Sequence, residues 1–136
     1  AGSQAALNAA KGWHIKLPNT GEKVLSTPLT FKNTVTWTTY EPSSNSISSN
    51  CIPSAGTSRL YQVNLTNATP KNSDWDGEEG LDVDDRSYTL NSSSIVDEPV
   101  IVCTGAGCDL FVGIEKPPVD AGNSDRIVKT FWRKDS

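Results

Sequence analysis

The sequence predicts an all-β, antiparallel fold of about eight short strands in two blade-like sheets, after a short helical or flexible lead-in. β-branched and aromatic residues recur at period two in several short segments. Turn-forming residues separate these segments, and helical periodicity is lacking after the N-terminus. Each of two hairpin patterns is accompanied by a further strand pattern, which indicates a weak internal duplication.

The length of 136 residues is usual for one domain and sufficient for a core. Residues 1–11 are expected to form the lead-in, with Leu7 as the only large apolar side chain. Residues 12–136 are expected to form a single all-β domain, with blade-like units at about 12–90 and 95–134.

The first predicted strands follow Gly12. Trp13, Ile15 and Leu17 alternate with polar residues, which predicts a half-buried strand. A turn at residues 18–21 leads to a weak strand over residues 22–25.

The segment 27–40 predicts a hairpin at the centre of the first sheet. Two arms, Pro28–Phe31 and Thr34–Tyr40, flank the turn Lys32-Asn33. In the second arm, Val35, Trp37 and Thr39 share one face, and Thr34, Thr36, Thr38 and Tyr40 share the other.

The rest of the chain alternates long polar loops with short strands. The Ser-rich stretch 41–56 lacks periodicity and predicts a functional or mobile loop. This loop and the acidic loop at 71–86 are expected to carry recognition. The remaining strands are predicted at residues 57–65, 86–90, 99–103, 108–113 and 127–132.

The three cysteines favour a disulfide between Cys103 and Cys108. These residues flank Thr-Gly-Ala-Gly and would face each other across a hairpin mouth, although buried reduced thiols are the alternative. The Ser-, Thr- and Asn-rich composition without Met is typical of secreted proteins, in which disulfides persist. Cys51 would then bond to another chain or to a part of the protein absent here.

The acidic loop holds seven carboxylates in twelve positions. Alternating acids with glycines for turning are the pattern that Ca²⁺ favours, because it binds six to eight oxygens. The candidate ligands, at loop positions one, three, five and nine, are Asp74, Asp76, Glu78 and Asp82. A register beginning at Asn72 and a solvated acidic surface are the alternatives.

Several functional classes find little support in the sequence. The net charge of −4 argues against nucleic acid, and no apolar run approaches the length of a membrane helix. His14 is the only histidine, and nucleophile-elbow, Walker and dinucleotide motifs are missing, so we expect no enzymatic activity. Trp13, Trp37 and Trp132 are expected in the core, whereas Trp75 is either an exposed contact or, as favoured, a lid on the core.

An ordered set of segments runs through nearly the whole chain from Gly12, as Gly12-Trp-His-Ile-Lys-Leu-Pro18, Gly21-Glu-Lys-Val24, Thr38-Thr-Tyr-Glu-Pro42, Cys51, Gly56-Thr-Ser-Arg-Leu-Tyr61, Ile95-Val-Asp-Glu-Pro-Val-Ile-Val102, Leu110-Phe-Val-Gly113 and Arg126-Ile-Val-Lys-Thr-Phe-Trp-Arg133. This set resembles the C-terminal domain of the PilY/PilC family of type IV pilus biogenesis factors and tip-associated adhesins.

The resemblance implies a modified β-propeller at the pilus or outer surface, with a calcium-binding loop and no catalytic machinery. A propeller needs at least four blades, and this chain would supply about two. It would then be a fragment, or a short relative whose sheet edges are covered by a pilin or another helical chain. The expected partners are other pilus proteins and a host surface or glycan, without membrane insertion, after export through the periplasm. The alternative is a secreted calcium-dependent carbohydrate-binding module unrelated to pili.

Overall fold

The computed structural model describes residues 4–43, 55–71, 75, 80 and 82–119. This part of the chain is antiparallel β structure in two sheets, as the sequence predicts, with one short N-terminal helix. The elements are α1 Gln4–Ala9, β1 Lys23–Val24, β2 Leu29–Phe31, β3 Thr34–Glu41, β4 Thr57–Asn64, a 3₁₀ turn Asp84–Arg86, β5 Ser87–Thr89, β6 Pro99–Thr104 and β7 Gly107–Val112.

The first sheet is built around the pair β3 and β4, which are joined by eight residue pairs in register. β1 and β2 both pair with β3 along its other side, and β5 pairs with β4. The predicted hairpin of β2 and β3 is confirmed. Its turn residues Lys32 and Asn33 have φ angles of 44° and 63°, as a two-residue turn with left-handed residues requires.

Both faces of this sheet are covered, so β3 is buried from Thr34 to Thr39. The register places Leu29, Leu60 and Tyr88 on one face, and they contribute to a core cluster with Leu110 and Val112 of the second sheet. The opposite face carries a second cluster, formed by Val35, Trp37, Tyr61, Val63 and Ala68.

The second sheet is the predicted hairpin of β6 and β7. An isolated two-stranded hairpin is only marginally stable, so its packing against the first sheet is needed to hold it. Leu110 and Val112 point into the core, whereas Val100 and Val102 lie on the outer face and are about half exposed. Thr27 also donates a hydrogen bond of 2.5 Å to the Glu98 carboxylate, which joins the two sheets at their edge.

The predicted strand over Trp13–Leu17 is wrong, because this segment is irregular. Ile15 and Leu17 pack on the second cluster, so their alternation reflects contact with a sheet face and not strand pairing. Trp13 is 38% exposed rather than a core residue, and its Nε1 donates to the carbonyl of Leu65 at 2.8 Å.

Other predicted features differ at strand ends or lie outside the described residues. β4 ends at Asn64, one residue before the prediction, and Leu65 is 43% exposed. The Asn64 amide oxygen accepts the Thr66 N–H at 2.9 Å, which begins a turn in place of the strand. The closing strand 127–132 with Trp132, and most of the Ser-rich loop with Cys51, lie outside the described residues.

None of the helices in the described part of the chain has the length and hydropathy needed to cross a membrane.

Replacing Leu60 with Ala tests the two-sheet core. Leu60 is fully buried in the cluster between the sheets, and truncating such a residue should lower the free energy of unfolding by about 2–5 kcal/mol. Urea unfolding measures this change. Val100→Ala on the exposed outer face is the matched control, with an expected change within about 0.5 kcal/mol; equal losses in both variants would contradict the assignment of the core.

Candidate interaction site

A buried carboxylate fastens the acidic loop. Asp85 is fully buried, and its Oδ1 accepts the backbone N–H of Trp75 while its Oδ2 accepts that of Asp82, both at 2.9 Å. Oδ1 therefore binds a backbone N–H ten residues earlier in the chain, and Oδ2 binds one three residues earlier. Trp75 and Asp82 are both hydrogen-bonded in this way to the 3₁₀ turn that contains Asp85.

The structure describes one of the four candidate calcium ligands. Asp82 is exposed and its Oδ1 accepts the N–H of Asp84 at 2.8 Å, whereas Asp74, Asp76 and Glu78 lie outside the described residues. Within the described ranges, no three metal-ligating side chains form a group. The calcium site remains a prediction.

Trp75 lies over the core. Its ring is half-buried against the cluster between the two sheets and meets the Tyr88 ring edge-on, with 5.8 Å between the ring centroids. The interpretation of Trp75 as a lid is therefore the one that its contacts support. Together with Asp85, it anchors the loop by an apolar contact and by backbone hydrogen bonds.

The predicted disulfide between Cys103 and Cys108 is confirmed. The two residues are direct partners in the β6–β7 register, with Cα atoms 4.0 Å apart, inside the limit of about 7 Å beyond which two cysteines cannot be bridged. The bond closes the tip of the second hairpin.

Within the described part of the chain, His14 joins no group of three acidic or metal-ligating side chains. It is exposed on the irregular N-terminal segment. Glu22 is buried, but its two oxygens already accept hydrogen bonds from Asn19 and Thr39 at 2.8 and 2.5 Å.

Tyr61 is the one described residue with a large pKa change. Burial, and secondly the nearby Glu22 carboxylate, raise the pKa of its phenol above the ordinary value. Its Oη is buried without a hydrogen bond of good geometry in the described part of the chain, and only loose polar contacts with Glu22, which raises the pKa, and Ser87, which lowers it, remain. The phenol stays protonated at neutral pH and cannot serve as a base.

An apolar groove lies between the irregular N-terminal segment and the first sheet. We call it the Trp13 groove; it encloses about 360 Å³ and is lined by Trp13, Ile15, Leu17, Val24, Pro28, Val35 and Trp37. Apart from the two indoles, these side chains carry no hydrogen-bonding group. The Trp13 indole is engaged with Leu65, and the Trp37 nitrogen is buried. The groove therefore suits apolar side chains.

A second groove lies between the segment 91–97 and the turn after β7. We call it the Ile114 groove; it encloses about 600 Å³ and has a mixed apolar and acidic lining that includes Ile95, Asp97, Ile114 and Glu115. Sequence reasoning missed both grooves, because each is formed by segments that the pattern of strands does not bring together. The signal available in the sequence was a large apolar residue in each of two turn-like contexts, Ile95 after Ser94 and Ile114 after Gly113. Both side chains are exposed in the structure.

Comparison of the chain with protein-family models, with curated proteins and with solved structures found no match.

Replacing Asp85 with Asn tests the fastening of the acidic loop. An amide offers one acceptor oxygen and places an N–H₂ group against one of the two backbone donors, which leaves a buried donor unpaired. We expect a loss of about 1–3 kcal/mol in the free energy of unfolding. Asp84→Asn, which makes the same charge change at an exposed neighbour, should cost far less; equal effects of the two variants would argue against the two hydrogen bonds.

Replacing Tyr61 with Phe tests the unpaired phenol. At pH 7 the free energy of unfolding should stay within about 1 kcal/mol of the wild type or rise, because no hydrogen bond is lost. Above about pH 10 the unfolded phenol loses its proton while the folded phenol keeps it, so the wild type should lose stability with rising pH relative to the variant. Urea unfolding at both pH values measures the difference, and a large loss in the variant at pH 7 would reveal a partner for Oη.

Proposed function

We propose that this chain is a non-enzymatic type IV pilus-associated protein that acts through protein–protein contacts at the bacterial surface. Its role would be in pilus biogenesis or adhesion, or as the globular subunit of a filament. The pilus assignment comes from the ordered resemblance to the PilY/PilC family. The Trp13 groove is the structural observation that supports action through protein–protein contacts.

The Trp13 groove favours a protein partner over a sugar. Val24 and Leu25 beside it are 48% and 51% exposed, so apolar surface continues from the groove onto the edge strand β1. A saccharide needs several polar groups to orient its hydroxyls, and the groove lining offers none that is free. The apolar face of a helical chain such as a pilin would supply the complementary side chains.

The edges of the first sheet support the same mode of action. β5 forms one edge, and β1 with β2 forms the other, without a further paired strand in the described part of the chain. Exposed edges are available for pairing with another chain. The Cys103–Cys108 disulfide is in keeping with export to an oxidising compartment.

Calcium would modulate these contacts through the acidic loop, with Asp74, Asp76, Glu78 and Asp82 as ligands. The support is the chemistry of the loop together with Asp85, which holds Trp75 and Asp82 at its ends. A preorganised loop loses less conformational freedom when it closes on an ion. Calorimetric titration of the full chain with Ca²⁺ should release or absorb heat and raise the melting temperature; neither effect at millimolar Ca²⁺ would reject the site.

Retention of the full chain on sheared type IV pili tests the proposed partner. Val24→Lys places a charge at the mouth of the Trp13 groove and should weaken binding at least about tenfold, since it removes buried apolar area and desolvates an ammonium group. Val102→Lys is the control, because Val102 is 47% exposed on the outer face of the second sheet and does not line the groove.

A glycan array probed with the same protein separates the two candidate functions. Binding to pili that Val24→Lys weakens and Val102→Lys leaves intact supports the pilus proposal. Absence of pilus binding together with calcium-dependent sugar binding would instead favour the carbohydrate-binding module.

A further inference from the structure

The Ile114 groove has two apolar walls and an acidic rim. Ile95 is 63% exposed on one wall, and Ile114 is fully exposed on the other. Val96 and Val112 complete the apolar lining, and Asp97 and Glu115 are the only charged residues of the lining that the structure describes. An occupant should therefore combine apolar side chains with positive charge.

The groove is held open by hydrogen bonds that join its two walls. The Glu115 carboxylate accepts the backbone N–H of Asn91 at 3.0 Å and its side-chain amide at 2.9 Å. Glu115 is in turn paired with Val112 through the backbone, which fixes the turn that carries Ile114. Asp97 is exposed and makes no hydrogen bond or ion pair within the described residues. Its charge is thus available to an incoming cation.

The described chain ends beside this groove. Val119 is buried in the same cluster as Val112, and Val112 also lines the groove. Eight residue steps separate Val119 from Ile127, which can span roughly 26 Å when extended. Gly122 and Asn123 in this connection are residues that permit a reversal of direction.

The C-terminal segment matches the groove in composition. Residues 126–134 read Arg-Ile-Val-Lys-Thr-Phe-Trp-Arg-Lys, with four positive charges, no negative charge and four large apolar side chains. A segment tethered by a short connection reaches an effective concentration near the millimolar range. A groove of modest intrinsic affinity would therefore be occupied by its own chain before a free peptide could compete.

We propose that the Ile114 groove binds the chain's own C-terminal segment, Ile127–Trp132, with its apolar side chains against Ile95 and Ile114 and Lys129 facing Asp97. The groove is then a site for a basic, apolar extended peptide that the chain itself supplies. Docking in this way requires neither calcium nor a pilus partner.

Hydrogen exchange of the amides 127–132 in the full chain tests this docking. The wild type should show at least tenfold slower exchange than the intrinsic rate. Ile114→Asp and Asp97→Lys should each accelerate exchange of these amides at least fivefold, while the β4 amides remain protected as a check on folding. Val100→Asp on the outer hairpin face is the control and should leave the segment protected.

A charge swap and a concentration series make the test specific. Asp97→Lys combined with Lys129→Glu should restore most of the protection that Asp97→Lys removes. Protection should also be independent of protein concentration for a chain that light scattering shows to be monomeric. The proposal would be overturned if these amides exchange at intrinsic rates in the wild type. It would also be overturned if Ile114→Asp and Asp97→Lys leave the protection unchanged, or if protection appears only when the chain dimerises.

Discussion

The antiparallel pairing of β3 with β4 is the constraint on which the rest of the structure depends. Eight registered pairs fix which side chains face each way, and both resulting faces carry a core cluster. Trp37 and Tyr61 stack across this pair on one face, with ring centroids 5.3 Å apart. Leu60 anchors the other face against the second hairpin. A shift of the β3–β4 register by one residue would turn the side chains of the shifted strand to the opposite faces of the sheet. Both core clusters would then lose the side chains that this strand contributes.

Carboxylates that accept backbone N–H groups position the surface features around this frame. Asp85 fastens the acidic loop through Trp75 and Asp82, and Glu115 fastens the wall of the Ile114 groove through Asn91. Charge-assisted hydrogen bonds of this kind are stronger than neutral ones. The acidic composition therefore has a structural component, and some carboxylates hold loops while others remain available to ligands.

The sequence pattern predicted local features well and distant contacts poorly. The turn at Lys32-Asn33 and the disulfide at Cys103–Cys108 depend on neighbours within a few residues, so spacing was enough to predict them. Trp13, Ile15 and Leu17 have the alternation of a strand, but alternation reports only which side chains are buried. Whether a segment pairs its backbone or merely lays side chains on a sheet depends on access to a strand edge, and here Ile15 and Leu17 lie on a face.

The sequence by itself determined the class of fold, the central hairpin and the closure of the second hairpin, because period-two burial, turn chemistry and short-range geometry are encoded locally. Only the tertiary structure decided which face of the first sheet meets the second hairpin, that Asp85 is buried while the neighbouring Asp82 and Asp84 are exposed, and where the two grooves lie. These features arise from contacts between segments far apart in the chain, such as Thr27 with Glu98 and Asn91 with Glu115. No local sequence pattern specifies such contacts, because they contribute to stability only when the rest of the fold has brought the two segments together.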